Sequence, residues 1–284
     1  MPGPPAGAQK EDSRAAERGE ETGLRRIALL LEYDGSRYGG SQIQKNAPTV
    51  QQELEEALYK LTGERHRVAF AGRTDAGVHA CGQVAAFLTS ARHEAEVFRR
   101  GLNYWLPDDI AVKRALEAPP GFDPRRQARR RLYRYLVYNG AAPSPLLRSR
   151  AWHVAEALDI ASMARAAGCL AGRHDFASFA GRPSQPRAST VRTVYRADVR
   201  RKGDIVVFSM EADAFLPHQV RRTVGALVEV GLRRMTPDEF KAMLRRPETS
   251  KAGPAAPAHG LYLARVTYRD VRISDETENE DIQR

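Results

Sequence analysis

One short loop carries residue types that suit acid–base or nucleophilic chemistry. Residues 72–80 (GRTDAGVHA), called the Asp loop below, contain Asp75 as their only acid. The two glycines allow a tight backbone, which could present the carboxylate in a cleft. Arg73 lies two residues before Asp75 and could orient a carboxylate or meet a phosphate. The alternative is a simple turn in which Asp75 bonds to its own backbone, and the motif alone favours this alternative.

A second stretch, residues 123–138 (DPRRQARRRLYRYLVY), is strongly basic and is called the basic segment below. Arginine binds phosphates through bidentate hydrogen bonds and tyrosine faces stack on bases, so this pattern is typical of an RNA contact. A solvated basic strand with tyrosines in the core would produce the same pattern. The basic segment contains Arg125, Arg126, Arg129, Arg130, Arg131 and Arg134, interleaved with Tyr133 and Tyr135.

Two further stretches give weaker signals when each is taken alone. His218 and Arg221 lie in the first turn of a predicted helix, and helix N-termini attract anions. For His218 a structural or surface role is favoured over a catalytic one. Residues 253–263 (GPAAPAHGLYL) predict only a loop that leads into a strand.

Several classes of protein and of site lack their usual signals. The sequence has no H-E-x-x-H, C-x-x-C, phosphate-binding P-loop or G-x-G-x-x-G after a strand, so we expect no metal and no cofactor. The longest aliphatic run, residues 27–31, is far shorter than the roughly 20 apolar residues of a membrane helix. Without a secretory h-region and with only two cysteines, Cys81 and Cys169, the sequence predicts a reducing, cytoplasmic location.

The net charge of +10 is unevenly distributed along the chain. Residues 1–24 carry −2 and residues 271–284 carry −3, so residues 25–270 carry +15. A field of this sign attracts a polyanion. The two ends are also rich in polar or small residues, and we interpret residues 1–24 as a disordered tail and residues 271–284 as an acidic tail.

Between the tails, strand and helix patterns alternate in two similar halves, residues 25–118 and 119–270. Thr49 and Gln52 form a capping box that predicts the start of one helix, and Gly63 predicts its end. Thr236 and Pro237 predict the start of another helix. The fold class predicted is α+β, a large antiparallel sheet with helices on its outer faces and a central active-site cleft. Strands are predicted at residues 26–33, 67–71, 83–88, 110–116, 132–138, 191–199, 205–212 and 261–268, and helices at 49–61, 94–106, 160–170, 218–230 and from 236.

These segments, in this order, resemble the tRNA pseudouridine synthase A family over about residues 26–270. The Asp loop is highly specific to that family, and Ser41 stands where the family usually has tryptophan. Residues 123–126, Gln219 and residues 255–256 also depart from the family pattern. The supporting matches are residues 31–35 (LEYDG), 50–51 (VQ), Asn103, 106–107 (LP), 133–135 (YRY), 220–221 (VR) and 257–262 (PAHGLY).

The resemblance implies an isomerase that converts uridine to pseudouridine at positions 38, 39 and 40 of the tRNA anticodon stem-loop. It implies that tRNA is the substrate, that the protein is a homodimer, and that no cofactor is used. It also assigns roles to residues. Asp75 is the catalytic carboxylate, as nucleophile or base, and Arg221 pairs with it. Tyr133 stacks on the target uracil, Arg73 helps to extrude the base, and Leu261 is an apolar wall of the pocket.

The basic segment adds an expectation of its own, that Arg126, Arg129 and Arg130 bind tRNA phosphates. The chemistry of a carboxylate at a glycosidic bond leaves alternatives open. The carboxylate could stabilise or trap the electron-poor C1′, take a proton from the sugar, or attack the base. Two rival functions also remain, a non-catalytic RNA-binding protein and an inactive member of the family.

Overall fold

The computed structural model describes residues 23–181, 189–249 and 251–273, so most of both predicted tails lies outside the described residues. Within these ranges the chain forms ten strands and five α-helices. The strands are β1 Arg25–Tyr33, β2 Ala69–Phe70, β3 His79–Thr89, β4 Ile110–Ala118, β5 Arg130–Tyr138, β6 Trp152–His153, β7 Gly172–Asp175, β8 Val191–Lys202, β9 Ile205–Ala212 and β10 Leu261–Thr267. The helices are α1 Val50–Thr62, α2 Ala95–Trp105, α3 Ile160–Gly168, α4 Gln219–Gly231 and α5 Pro237–Arg245.

All ten strands belong to one sheet in the order β4-β1-β3-β10-β5-β9-β8-β7, with β2 on β3 and β6 on β5. Most pairs are antiparallel, and the α+β class predicted from the sequence is confirmed. Two pairs, β3 with β10 and β5 with β6, are parallel. The last strand therefore lies between strands of the predicted first and second halves. The residue at which one half ends and the next begins stays a prediction, because the sheet is continuous.

Local signals explain where the helices begin and end. The Thr49 hydroxyl accepts a hydrogen bond from the Gln52 amide at 3.3 Å, and Gly63 ends α1 with φ 73°. That left-handed backbone favours glycine. At α5 the reciprocal capping box of Thr236 and Glu239 is complete. Within the described ranges, none of the helices has the length and apolar character that crossing a bilayer demands.

The sheet differs from the sequence-based prediction where pairing depends on distant partners. Strand β3 begins at His79, inside the Asp loop, because His79 pairs with Tyr262 of β10. The two-residue strand β6 and the polar strand β7 were not predicted. Strand β7 has no alternating apolar pattern and forms through pairing with β8. Strand β2 is shorter than predicted, with only two residues paired to β3.

Candidate active site

Buried side chains hold the Asp loop on the side that precedes Asp75. The Tyr33 and Thr74 hydroxyls are 2.9 Å apart, and Gln83 donates to the Gly72 carbonyl at 2.8 Å. The Ser41 hydroxyl accepts from the Thr74 amide at 2.9 Å, while the Ser41 amide donates to the Thr74 carbonyl. Ser41, one of the departures from the family pattern, thus binds the loop directly. These contacts fix the backbone immediately before Asp75.

On the other side of Asp75 the turn is made by the backbone alone. The Val78 amide donates to the Asp75 carbonyl at 3.1 Å, and the Gly77 amide donates to Tyr38 at 3.3 Å. Gly77 has φ 76°, a conformation that glycine adopts without strain. The Asp75 carboxylate takes no part in this turn. The simple-turn alternative for Asp75 therefore does not describe the side chain.

The Asp75 carboxylate faces two groups from the start of α4. Arg221 Nη1 lies 3.3 Å and His218 Nε2 lies 3.5 Å from the same oxygen, Oδ2. Arg221 is held in turn by Nε, which donates to the Ala256 carbonyl at 2.7 Å. The Arg221 side chain is 17% exposed and that of Asp75 is 42% exposed. Arg221 is thus held by its place in α4 and by the loop before β10, while the Asp75 carboxylate stays open to the cleft.

Tyr133 lies in β5, opposite Leu263 of β10 and Met210 of β9. It is buried, and its ring packs against the Phe215 ring in a T-shaped arrangement with a centroid distance of 5.1 Å. Burial raises the pKa of the Tyr133 hydroxyl above its ordinary value; Tyr33 and Asp75 add to that rise, and the positive charge of Arg131 opposes it. The phenol is therefore neutral at physiological pH. The residue supplies an aromatic surface and a neutral hydroxyl to the site.

A cleft of about 480 Å³ collects these groups. Five of the predicted site residues line it, namely Arg73, Asp75, Tyr133, Arg221 and Leu261. The Asp loop belongs to the predicted first half and α4 to the second, in agreement with a central cleft. The other lining residues include Arg125, Arg131, Arg192 and Phe215, none of which was singled out as a site residue from the sequence. Arg125 and Arg131 belong to the basic segment, and Arg192 and Phe215 had no distinguishing local signal.

The basic segment divides into structural and exposed arginines. Arg131 is buried, and its guanidinium donates to the carbonyls of Ala71, Arg125 and Asp213, so it joins β5 to the start of the Asp loop. Burial lowers the pKa of Arg131 from its ordinary value. The predicted phosphate-binding residues Arg126, Arg129 and Arg130 are exposed and lie outside the residues that line the 480 Å³ cleft.

The three exposed arginines differ in how firmly they are held. Arg130 lies 4.5 Å from the Tyr195 ring centroid and 3.4 Å from a Glu211 oxygen. Arg126 is 77% exposed, with its nearest carboxylate oxygen, on Asp123, 3.7 Å away. Arg126 also borders a second groove, of about 730 Å³, which shares Arg73 and Arg125 with the first cleft.

The charges of the cleft suit a nucleotide better than a metal ion. Its lining residues include one carboxylate, Asp75, and five arginines. No set of three or more His, Cys, Asp or Glu side chains suitable for a metal ion occurs in the described part of the chain. Arginine-rich walls bind phosphate oxygens, and an aromatic ring with a neighbouring apolar side chain can hold a flat base. A carboxylate fixed between these surfaces can act on a sugar or a base.

Comparison with known proteins agrees with this geometry. A family model described as tRNA pseudouridine synthase matches residues 30–125 and 166–269. A tRNA pseudouridine synthase A from Moorella thermoacetica is 47% identical over 244 residues, which cover 85% of this chain and 99% of that protein. Two similar relatives have the same description. The relative from Pelobacter propionicus is 46% identical, with the match covering 86% of this chain and 100% of that protein. The relative from Chloroflexus aurantiacus is 48% identical, with the match covering 86% of this chain and 89% of that protein.

Among solved structures, an archaeal box H/ACA sRNP Nop10–Cbf5 complex matches at 12% identity with a TM-score of 0.34. The match covers 77% of this chain and 46% of that chain, so this chain spans less than half of its length. A Cbf5–Nop10–Gar1 complex matches at 14% identity with a TM-score of 0.32, covering 72% of this chain and 45% of that chain. At these scores the structural likeness carries no argument.

Proposed function

Since the chain belongs to the tRNA pseudouridine synthase A family, we propose that it isomerises uridine to pseudouridine in tRNA with Asp75 as the catalytic carboxylate. The observation that carries the proposal is the position of Asp75 in the cleft, with its Oδ2 3.3 Å from Arg221 Nη1. A non-catalytic RNA-binding protein would share the arginines and the tyrosines. It would have no need of a carboxylate fixed by a half-buried guanidinium.

The isomerisation breaks the N1–C1′ bond of uridine and forms a C5–C1′ bond. The proton on C5 leaves and N1 gains one, so atoms and electrons balance without a cofactor. C1′ becomes electron-poor when the glycosidic bond breaks, and a carboxylate beside it can stabilise or trap that centre. Abstraction of a sugar proton or attack on the base uses the same oxygen atoms. In each case Arg221 stabilises the ionised carboxylate and fixes its direction.

The detached uracil must stay in the cleft while it rotates. Tyr133 and Leu261 both line the cleft, one with an aromatic ring and one with an apolar side chain. We propose that the Tyr133 ring stacks on the uracil and that Leu261 forms the apolar wall of the pocket. Removal of the target base from its stack costs a few kcal/mol. Arg73 also lines the cleft, and its contacts with the RNA backbone would offset part of that cost.

We propose positions 38, 39 and 40 of the anticodon stem-loop as the targets, with Arg126, Arg129 and Arg130 on the RNA backbone. The exposed positions of these arginines and the groove beside Arg126 support their contact with the RNA backbone, and the family resemblance supports the three target positions. We further propose that the protein acts in the cytoplasm as a homodimer. Static light scattering at micromolar concentration tests the dimer, and a monomer mass at every concentration would contradict it.

Incubation of the purified protein with a tRNA transcript, followed by nucleoside chromatography, tests the proposed function. Pseudouridine should form in a transcript that has uridine at positions 38, 39 and 40. A matched transcript with cytidine at those three positions should remain unmodified. Binding without conversion would indicate an RNA-binding protein or an inactive family member. Conversion only at other positions would support the proposed activity and contradict the proposed target positions.

A further inference from the structure

His218 is the residue next to Asp75 for which the sequence favoured only a structural or surface role. Its Nε2 lies 3.5 Å from Oδ2 of Asp75, and its side chain is 44% exposed and lines the cleft. The contact is about half an ångström longer than an ordinary hydrogen bond. Contacts of this kind commonly shorten when substrate binds. His218 is therefore within reach of the proposed catalytic carboxylate.

The backbone of His218 is held in an unusual conformation. The residue precedes α4 with φ 61°, in the left-handed region that residues with a Cβ rarely adopt. Two backbone hydrogen bonds surround it, from the Arg222 amide to the His218 carbonyl at 2.9 Å and from the Gly181 amide to the Pro217 carbonyl at 2.9 Å. Positive-φ residues that persist under such constraint cluster at functional sites. Arg233, also with φ 61°, is the other non-glycine example in the described ranges.

Both groups that face Asp75 approach the same carboxylate oxygen. Arg221 and His218 lie next to Oδ2, and in the described part of the chain no hydrogen bond to Oδ1 is formed. Two donors on one oxygen fix the rotation of the carboxylate, whereas one donor leaves it free to turn. Arg73, Arg125 and Arg192 also line the cleft and supply positive charge for phosphates, so a histidine adds little to that role. An imidazole N–H is available in the neutral ring as well as the charged one.

We propose that His218 is a positioning residue that donates from Nε2 to Oδ2 of Asp75 and so directs Oδ1 toward the reacting nucleotide. This inference rests on the proposed function, because it concerns the carboxylate that does the chemistry. His218 acts through Asp75 and has no bond of its own to make or break. Its loss should slow the isomerisation step and leave tRNA affinity nearly unchanged.

Three variants test the role of His218. His218→Gly removes the side chain and suits the positive φ, so folding should survive. His218→Gln restores an N–H donor of similar reach. Arg233→Gly is the matched control, because Arg233 has the same positive φ and lies just beyond the C-terminal end of α4. There its guanidinium contacts Asp159, away from the cleft. Single-turnover conversion of tRNA at saturating enzyme and the Kd for tRNA are measured for each variant and for the wild type.

We expect the single-turnover rate of His218→Gly to fall about tenfold, the effect of losing one hydrogen bond to a charged group, with Kd within about twofold of the wild type. His218→Gln should recover most of the rate, and Arg233→Gly should match the wild type. A His218→Gly rate within twofold of the wild type would overturn the inference. An equal loss of rate in Arg233→Gly would also overturn it, as would a His218→Gly variant that loses tRNA affinity but not rate. A folded His218→Gln variant no faster than His218→Gly would overturn it as well. If the Gln variant does not fold, the two Gly variants decide. No conversion by the wild type would instead contradict the proposed function.

Discussion

Arg221 Nη1 lies 3.3 Å from Asp75 Oδ2, although the two residues are 146 positions apart in the chain. The same guanidinium donates from Nε to the Ala256 carbonyl at 2.7 Å. One rigid, planar group thus joins the Asp loop, helix α4 and the loop before β10. A guanidinium can make both contacts because its donors point in fixed, different directions.

Arg221→Lys should therefore impair conversion, although it keeps the positive charge. A single ammonium on a flexible stem cannot hold the Ala256 carbonyl and Asp75 in the same geometry. We expect the single-turnover rate to fall by about tenfold or more, since misplacement of a catalytic group by about 1 Å can cost 100-fold. Arg222→Lys is the matched control, because Arg222 is the next residue in α4 and also binds a carbonyl, that of Gly253. Equal rates in the two variants would argue against a role for the Arg221–Asp75 pair.

Asp75→Asn should fold and bind tRNA, yet form no pseudouridine above background. Asparagine keeps the shape and loses the charge together with the nucleophilic or basic oxygen. Asp75→Glu should also be severely impaired, because the added methylene moves the carboxylate. Asp213→Asn is a suitable control, since Asp213 accepts hydrogen bonds from the Thr193 and Ala214 amides and an asparagine oxygen can do the same. Substantial conversion by verified Asp75→Asn protein would contradict the central proposal.

Tyr133 variants separate stacking from the hydroxyl group. Tyr133→Phe keeps the ring and its contact with Phe215, whereas Tyr133→Ala loses both. If stacking is the main role, single-turnover conversion should suffer far more in the Ala variant. Equal losses would assign the role to the hydroxyl group. Thermal unfolding must accompany both measurements, because truncation of a buried aromatic to alanine costs about 3–5 kcal/mol of stability.

A triple variant, Arg126→Ala with Arg129→Ala and Arg130→Ala, should bind tRNA more weakly and with a shallower salt dependence. Each phosphate contact contributes about −0.7 to −0.9 to the slope of log K against log salt. Arg126 and Arg129 should account for most of the change, because Arg130 already contacts Tyr195 and Glu211.

The control for the triple variant replaces three exposed arginines that line neither groove, Arg100, Arg245 and Arg246. Net charge then falls by the same amount in both proteins. Equal slopes in the two variants would mean that Arg126, Arg129 and Arg130 act only through the overall charge.

Stability should fall in alkaline solution because several tyrosines are buried as neutral phenols. Burial raises the pKa of Tyr33 to about 12, and it also raises the pKa of Tyr38, Tyr133, Tyr135, Tyr262 and Tyr268. A raised pKa means that the folded state binds the proton more tightly. The stabilisation is thus complete below the unfolded pKa of about 10 and is lost as pH rises through and above it, by up to about 1.4 kcal/mol per pH unit for each tyrosine.

Urea unfolding at pH 8, 10 and 11 measures this loss. The free energy of unfolding should be nearly constant up to about pH 9, about one unit below the unfolded pKa of tyrosine, and then fall increasingly steeply. Tyr133→Phe removes one titrating group, so its curve should be shallower above pH 10 than that of the wild type. Parallel curves for the two proteins would show that Tyr133 does not titrate differently in the folded and unfolded states.

Signals that depend on a few neighbouring residues could be predicted from the sequence. The ends of α1 at Thr49 and Gly63 and the capping box at Thr236 are examples, since the chemistry of a cap is local. The Asp loop was recognised for a different reason, its highly specific resemblance to a known family. The same resemblance predicted Tyr133, Arg221 and Leu261 as site residues, and the fold brings them into one cleft with Asp75.

Features that depend on distant contacts could not be predicted. Nothing near residues 152–153 or 172–175 indicates a strand, because both form through pairing with β5 and β8. The burial of Arg131 next to the exposed Arg129 and Arg130 depends on the carbonyls of Ala71 and Asp213. The backbone of His218 and its approach to Asp75 likewise become visible only when α4 and the Asp loop are brought together.

The position of β10 bears on how the protein is assembled during synthesis. Strands of the two predicted halves are joined in the sheet through β10, which pairs with β3 on one side and β5 on the other. Proteins are made from the N-terminus, and early segments begin to fold before later ones emerge. A nascent chain that has emerged only as far as α5 contains Asp75 and Arg221 but not the strand between the halves. The Asp75–Arg221 pair would then reach its final geometry only after residues 261–267 have been made and have paired with β3 and β5, so formation of the candidate site depends on the last of the described strands.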